Sequence, residues 1–342
     1  MRNLRDMTYD ELLEAVQAFG EKPYRAEQLF GWVYKKLAPD IDSMTDVSKA
    51  FRERLKGEFV VSGSKVLDIK RSPDGAQKFL SELEDGSRIE SVIIPETGRL
   101  TLCVSTQAGC ALGCRFCMTG KSGFTRNLTL SELVNQVVSA NEILGKDARI
   151  TNIVLMGMGE PLNNYDNVLK FTQVLTDGRG FGFSHNRVTL STSGVVPGIK
   201  RLGAESNVSL AVSLNATTDE VRTKLMPINK KYPIADLLEA LRAYPFKGKR
   251  HITIEYVLIK GLNDTLADSK RLAVLLRGIP CKINLIPFNP FPGSQFERPQ
   301  NASVMAFGKV LRDAGYMVMI RMSKGAEIEA ACGQLRARYD GA

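Results

Sequence analysis

The sequence predicts an α/β protein built on a partial, open (βα)6 barrel, with a helical accessory domain and a β-meander extension before it. From residue 100 onward, short apolar strands alternate with helical segments, which favours a parallel sheet with right-handed crossovers. Six such units are recognisable, fewer than the eight of a closed TIM barrel. The sheet is therefore expected to stay open.

Four segments are expected along the chain, because the hydrophobic period changes between them. Residues 1–60 form the helical accessory domain, and residues 61–98 form the meander. Residues 99–300 carry the partial barrel. Residues 301–342 add a helix, a strand and a closing segment that contains Cys332.

The accessory domain begins with a helix that Thr8 caps, since apolar residues follow it at helical spacing. Further helices are expected over 25–37 and 47–59. Their basic side chains could form an outer face, but a solvated helix surface accounts for these charges slightly better. In the meander, turns at 72–75 and 84–87 separate three alternating strands.

The barrel elements follow in regular order. Its strands are expected at residues 100–105, 152–156, 187–191, 208–213, 252–258 and 282–286. Helices are expected near residues 130–144, 165–176, 196–202, 234–243 and 267–277. A helix near 302–313 and a last strand at 316–321 complete the pattern.

Composition narrows the class of protein. The 342 residues are 44% hydrophobic, and no apolar run approaches the ~18 residues of a membrane span, so no membrane contact is expected. The N-terminus lacks an apolar signal segment, which favours a cytoplasmic protein. The net charge of +9 favours a polyanionic partner, most plausibly nucleic acid.

The most informative motif of the sequence is the spacing C-x3-C-x2-C of Cys110, Cys114 and Cys117. Thiolates suit soft metals and iron–sulfur clusters. Three local thiolates leave one iron of a [4Fe–4S] cluster without a protein ligand. A small molecule with an amine and a carboxylate, such as S-adenosylmethionine (SAM), can chelate that iron.

Three other interpretations fit these cysteines less well than a cluster site: a structural zinc site, a disulfide framework and buried, unreactive cysteines. A structural zinc site usually needs four Cys or His ligands, but the only histidines are His185 and His251 and no second cysteine pair lies nearby. A disulfide framework is not expected in so long a chain with six cysteines. Inert buried cysteines remain the plain alternative, and Cys281 is most simply assigned to this class.

Polar or glycine-rich stretches follow several predicted strands. In barrels of this kind the functional residues lie at the C-terminal strand ends, so these stretches could surround one ligand. Besides the cysteine loop they are residues 156–161, 191–194, 213–216 and 287–290.

The cysteine loop after the first strand of a partial barrel resembles the radical SAM superfamily. Further motifs resemble its RNA adenine methyltransferases, the family typified by RlmN and Cfr. These are Cys103 seven residues before Cys110, Gly-Met-Gly-Glu-Pro-Leu at 157–162, Asn-Pro-Phe-Pro-Gly at 289–293 and Ala-Ala-Cys-Gly-Gln-Leu at 330–335. The resemblance covers nearly the whole chain. Two positions depart from the family pattern, Asn215 where His is common and Glu327 where Asp is common.

The resemblance implies one [4Fe–4S] cluster on Cys110, Cys114 and Cys117, and two SAM molecules per turnover. It also implies a set of residues that hold SAM, namely Gly159, Glu160, Ser191, Ser213, Leu214, Asn215 and Asn289.

The resemblance further implies roles for three catalytic residues. One SAM methylates Cys332, and a radical made from the second SAM takes a hydrogen atom from that methyl group. The resulting methylene radical adds to the adenine ring and joins RNA to protein. Glu90 then removes the ring proton, and Cys103 attacks the sulfur of Cys332, which releases methylated RNA and leaves a disulfide.

The implied substrates are an adenosine of 23S rRNA in the peptidyl-transferase centre and an anticodon-loop adenosine of tRNAs, both methylated at C2. The accessory domain is then expected to bind RNA, and an electron donor and a monomeric state are expected. Methylation at C8 by a Cfr-like enzyme, a non-enzymatic iron–sulfur RNA-binding protein and a radical SAM enzyme for a small molecule are the alternatives.

Contacts to RNA are less determined. Basic residues near the cluster loop and on later loops are candidates for phosphate binding, namely Arg115, Lys121, Arg126, Lys230, Lys231, Lys247, Lys249 and Arg250.

Overall fold

The computed structural model describes residues 1–146, 148–245 and 251–337. The N-terminal part is helical, and two short strands pair in parallel beside the helices. In chain order its elements are β1 (Arg2–Asn3), α1 (Tyr9–Ala18), α2 (Tyr24–Phe30) with a π-helical turn over Gly31–Lys35, α3 (Lys49–Lys56) and β2 (Phe59–Val60).

The strands of the remaining chain are β3 (Lys65–Arg71), β4 (Gln77–Glu82), β5 (Arg88–Glu96), β6 (Arg99–Cys103), β7 (Gln107–Gly109), β8 (Phe124–Asn127), β9 (Asn152–Leu155), β10 (Val188–Thr192), β11 (Ser209–Ser213), β12 (Ile252–Leu258), β13 (Cys281–Pro287) and β14 (Met317–Ile320). The helices are α4 (Met118–Lys121), α5 (Leu130–Leu144), α6 (Tyr165–Thr176), α7 (Val196–Glu205), α8 (Asp219–Leu225), α9 (Ile234–Arg242), α10 (Leu266–Leu275) and α11 (Asn301–Asp313).

One ten-stranded sheet organises the molecule, in the order β3-β4-β5-β6-β9-β10-β11-β12-β13-β14. The strands from β3 to β6 pair antiparallel, and all pairings from β6 to β14 are parallel. Within the described ranges no pairing joins the two end strands, so the predicted open barrel is confirmed. The expected boundary near residue 98 lies in the turn between β5 and β6, and the meander and barrel therefore share one sheet.

Local signals explain where several helices begin. Thr8 and Thr129 each form a capping box with the glutamate three residues later, at the starts of α1 and α5. The accessory part docks on α5, where Asp6 accepts a hydrogen bond from the backbone N–H of Ser131 at 2.7 Å. The buried Arg5 guanidinium donates to the side chain of Asn135 on the same helix at 2.8 Å.

Most predicted barrel elements agree with the structure to within a few residues. The β7–β8 hairpin, α4 and α8 were not predicted, because each is too short to show a hydrophobic period. In the part of the chain that the structure describes, no helix is both long and apolar enough to cross a membrane.

The fully buried Arg222 of α8 connects two strand ends. Its guanidinium donates to the carbonyl of Leu214 at 3.0 Å and of Ser213 at 3.3 Å, both at the end of β11. It also donates to the carbonyl of Ser193, just after β10, at 2.7 Å, and to the Asn229 side chain at 3.0 Å. Burial lowers the pKa of this guanidinium to about 10. The hydrogen bonds thus fix two loops that border the cavity described below.

Replacing Arg222 with methionine is expected to lower the free energy of unfolding by about 3–5 kcal/mol, because several buried carbonyl groups lose their donor. Denaturant unfolding measures the change. The exposed Lys309, which pairs with Asp313 on α11, is the control, and Lys309→Met should change stability by less than ~1 kcal/mol. Equal effects in the two variants would contradict the role of Arg222.

Candidate functional site

One cavity at the C-terminal ends of the parallel strands brings together most of the predicted site. It is lined by Cys110, Cys114 and Cys117, and by the predicted SAM residues Gly159, Glu160, Ser191, Ser213 and Asn289. We call it the cluster cavity. Sequence positions almost 180 residues apart therefore meet at one place, as the strand-end rule predicts.

The β7–β8 hairpin presents the cysteine loop to this cavity. Gly109, with a φ of +80°, ends β7, and a Cβ at this position would lie 2.1 Å from the carbonyl oxygen of Gly123. Only glycine allows this approach of the two backbones. The N–H of Cys110 then donates to that carbonyl at 2.6 Å, and the N–H of Cys117 donates to the Cys114 carbonyl at 3.1 Å.

The donor set of the cavity suits an iron–sulfur cluster. Burial raises the pKa of the Cys110 thiol to about 11 and also raises the pKa of Cys114. Positively charged irons stabilise thiolates and would offset this effect. Among the residues that the structure describes, no three His, Cys, Asp or Glu side chains could hold one metal ion together. In a [4Fe–4S] cluster each cysteine binds a different iron, so the three thiols need not share one metal ion.

Glu160 is a buried carboxylate of the cavity, and its side chain is fixed by backbone groups. Its oxygens accept hydrogen bonds from the N–H of Ser193 at 2.7 Å and of Leu162 at 3.1 Å. Its own N–H donates to the Gln107 side chain at 2.8 Å. Burial raises the pKa of Glu160, and a ligand ammonium group would restore a partner for the charge. The remaining lone pairs of the carboxylate can accept such a group.

Sequence reasoning missed two charged residues here, Glu255 and Arg321. Glu255 lines the cluster cavity from β12, and its carboxylate accepts a hydrogen bond from the Ser191 hydroxyl at 2.8 Å. Burial raises the pKa of Glu255, while the positive charge of the half-buried Arg321 opposes that shift. A single acid within the apolar strand Ile-Thr-Ile-Glu-Tyr-Val-Leu was the available signal for Glu255.

Leu214 and Asn215 lie beside Ser213 but do not line the cluster cavity. The Asn215 side chain accepts a hydrogen bond from the N–H of Val257 at 2.8 Å and is 1% exposed. Asn215 also has a φ of +57°, a left-handed conformation that asparagine tolerates better than most residues. Their assignment to SAM binding stays a prediction.

A second cavity adjoins the first, and Cys332 lines both. We call it the thiol cavity, because Cys103 lines it as well, together with Arg321 and Lys324. Both cysteines are free thiols in this structure. Burial raises the pKa of Cys103 to about 12, and the neighbouring Cys332 adds to this shift. Burial also raises the pKa of Cys332, which the positive charge of Arg321 opposes.

Residues 325–337, here called the C-terminal segment, hold Cys332 in place. The Thr119 hydroxyl donates to the Leu335 carbonyl at 2.6 Å. Asn289, one of the predicted SAM residues, donates to the Cys332 carbonyl at 3.2 Å and to the Ser323 hydroxyl at 2.9 Å. The predicted cofactor residues and the predicted methyl carrier are thus directly connected.

Glu90 lines neither cavity. One carboxylate oxygen is 2.9 Å from the Nζ of Lys78, and both side chains are almost completely buried. The other oxygen accepts hydrogen bonds from the N–H groups of Arg336 and Ala337 at 2.8 and 3.1 Å. Two backbone N–H groups of the C-terminal segment therefore cover one oxygen of the predicted base in this structure.

The basic candidates for RNA binding differ in their surroundings. Arg126 contacts the carboxylates of Asp85 and Glu132, which neutralise its charge in this structure. Arg115, Lys121, Lys230 and Lys231 are exposed. Lys247, Lys249 and Arg250 lie outside the described residues.

Two family models match the chain. The model "Radical SAM superfamily" matches residues 104–273, and the model "Ribosomal RNA large subunit methyltransferase N-terminal domain" matches residues 2–61. The Dual-specificity RNA methyltransferase RlmN of Desulfosudis oleivorans is 51% identical over 337 residues, which are 98% of this chain and 91% of that protein. The protein of the same name from Syntrophobacter fumaroxidans is 48% identical over 98% of each chain.

A solved structure is also similar over the full length. The radical SAM methyltransferase from Sphaerobacter thermophilus superposes with a TM-score of 0.93 at 44% identity, over 99% of this chain and 100% of that chain. The likeness therefore includes the accessory part, the sheet and the C-terminal segment.

Replacing Cys110, Cys114 or Cys117 with serine is expected to reduce bound iron at least roughly tenfold, because each sulfur is predicted to bind one iron. Iron and sulfide analysis with visible absorption after anaerobic reconstitution measures the loss. Cys281→Ser is the matched control, since the buried Cys281 on β13 lines neither cavity, and it should retain its iron. Full iron content in the three variants would refute this ligand set.

Proposed function

The chain belongs to the RlmN family of dual-specificity RNA methyltransferases within the radical SAM superfamily, and we propose that it methylates C2 of an adenosine in 23S rRNA and of an anticodon-loop adenosine in tRNAs. One observation carries the proposal most directly. Cys332 lies in the wall shared by the cluster cavity and the thiol cavity. A methyl group on its sulfur could be activated from one side and transferred on the other.

The enzyme is a radical SAM methyltransferase, and its family uses a [4Fe–4S] cluster and SAM. Bound together, these cofactors supply the one-electron chemistry that activates an otherwise inert methyl group. Cys110, Cys114 and Cys117 would hold the cluster. Glu160 would bind the ammonium group of SAM, since it is the carboxylate held beside those thiols.

Cys332 would carry the methyl group, because it lines the cluster cavity and its backbone carbonyl accepts a hydrogen bond from Asn289. Adenine C2 is electron-poor and does not act as a nucleophile, so the carrier must bring an activated carbon to the ring. That carbon then joins the sulfur of Cys332 to the base. The covalent adduct explains why the carrier is a cysteine, whose sulfur can later leave.

Cys103 would release the product. It lines the thiol cavity with Cys332, and its thiolate can attack the Cys332 sulfur to form a disulfide. The electrons of the broken carbon–sulfur bond pass to the methyl carbon, which takes up a proton. A reductant must then return two electrons to the disulfide, so we include an external thiol or electron donor among the partners.

Glu90 would remove the proton from the adenine carbon. A buried carboxylate held by Lys78 is a suitable base, provided that the C-terminal segment uncovers it. Leu214, Asn215, Ser191, Ser213, Gly159 and Asn289 would complete the SAM site. We further propose a monomer in the cytoplasm, where reducing conditions preserve the free thiols and the cluster.

Full-length similarity to proteins named RlmN favours C2 over C8 as the methylated position. The same similarity argues against a non-enzymatic iron–sulfur protein. The accessory domain and the net charge of +9 favour RNA over a small molecule as substrate.

The activity is tested with anaerobically reconstituted enzyme, SAM, a reductant and unmodified rRNA or tRNA. We expect 2-methyladenosine and 5′-deoxyadenosine, which mass spectrometry of digested RNA and of the small molecules detects. A methyl group at C8 would favour the Cfr-like activity. Absence of both products with an intact cluster would refute an enzyme acting on RNA.

The Cys103→Ala variant is expected to accumulate RNA bound covalently to the protein, because the adduct forms but its carbon–sulfur bond cannot be broken. Denaturing gel electrophoresis with labelled RNA measures the adduct, and release of methylated RNA should fall by roughly a hundredfold or more. Cys281→Ser is the control and should release product normally. Free RNA alone in the Cys103→Ala reaction would contradict the releasing role.

A further inference from the structure

Glu90 and Lys78 form a buried ion pair on neighbouring strands. Leu80 of β4 lies opposite Glu90 of β5, and Lys78 lies opposite Val92, so Lys78 and Glu90 share one face of the sheet as diagonal neighbours. Their side chains are 7% and 3% exposed, and Nζ is 2.9 Å from the carboxylate. Val92 also pairs with Cys103, which places the releasing thiol on the same face.

The other partners of Glu90 belong to the C-terminal segment. The N–H groups of Arg336 and Ala337 occupy one carboxylate oxygen, whereas Leu335, just before them, lines the thiol cavity. For an adenine in the thiol cavity to reach Glu90, residues 335–337 would have to move aside and give up these two hydrogen bonds.

The C-terminal segment has features that permit such a movement. Glu329 and Ala337 adopt left-handed backbone conformations, with φ of +52° and +53°, that non-glycine residues rarely adopt. Lys78 also contacts this segment, since its Nζ donates to the Glu329 carbonyl at 3.2 Å. Lys78 itself lies on β4, which pairs with β3 and β5, so it would remain when the segment leaves.

A carboxylate acts as a base only when one of its oxygens reaches the proton that it removes. We propose that Lys78 is a positioning residue that holds the Glu90 carboxylate and aims it at the adenine once RNA has displaced the C-terminal segment. This inference rests on the proposed function. In the step concerned, the methylene-bridged adduct has already given its unpaired electron to a one-electron acceptor, for which the oxidised cluster would serve. Its carbon–hydrogen bond then breaks, the electron pair stays in the ring, and the proton passes to Glu90.

Lys78→Met should leave methylation of Cys332 intact but slow the release of methylated RNA. Methylation of Cys332 by SAM, measured by intact-protein mass, should proceed as in the wild-type enzyme, because Lys78 lines neither cavity. The covalent adduct should accumulate, and release of methyladenosine should slow by roughly 10- to 100-fold. Lys78→Gln, whose shorter side chain is polar but uncharged, should behave alike and covers the case in which methionine impairs folding.

Two further variants test whether Lys78 acts by positioning Glu90 or only by anchoring the C-terminal segment. Asp74 anchors its start through the N–H of Gly325 at 2.7 Å and does not contact Glu90, so Asp74→Ala should not accumulate the adduct. In the Glu90→Gln background, Lys78→Met should add little further slowing, because Lys78 acts through Glu90.

Normal product release by both Lys78 variants would overturn the inference. So would an equal loss of Cys332 methylation and product, adduct accumulation in Asp74→Ala, or independent effects of Lys78 and Glu90. In each of these cases the wild-type enzyme still methylates RNA, whereas failure of the wild-type enzyme would refute the proposed function instead.

Discussion

The position of Cys332 between two cavities depends on hydrogen bonds from distant parts of the chain. Thr119, just after the cluster cysteines, and Asn289, at the end of the last barrel strand, both bind carbonyl groups of the C-terminal segment. Asp74 of the meander binds its start. The segment has little regular structure of its own, so these contacts determine where its thiol points. The arrangement places the proposed methyl carrier beside both cavities.

Much of the architecture could be predicted from local sequence. Strands and helices of the barrel have clear hydrophobic periods, and helix starts such as Thr129 carry capping residues. The cysteine spacing alone indicates an open iron site, because the three ligands lie within one loop. The strand-end rule then places Gly159 and Asn289 in the same cavity without any structural information.

Local sequence could not predict that Glu255 and Arg321 belong to the site, or that Lys78 pairs with Glu90. Each depends on strand register, and register is set by pairings between segments far apart in sequence. A lysine and a glutamate twelve residues apart look like ordinary surface charges until β4 and β5 bring them together inside the protein. The same applies to Arg126, a promising phosphate ligand by position, whose charge two carboxylates neutralise.

The hairpin between β5 and β6 has a consequence for engineering. Glu96 pairs with Arg99, and Val92 pairs with Cys103, so the proposed base and the releasing thiol occupy adjoining strands. A chain that began at residue 99 would lose Glu90 and leave β6 as a bare sheet edge, open to pairing with other molecules. The radical SAM barrel of this protein is therefore not a transplantable module. Grafting its chemistry onto another scaffold would require the preceding strands as part of the same unit.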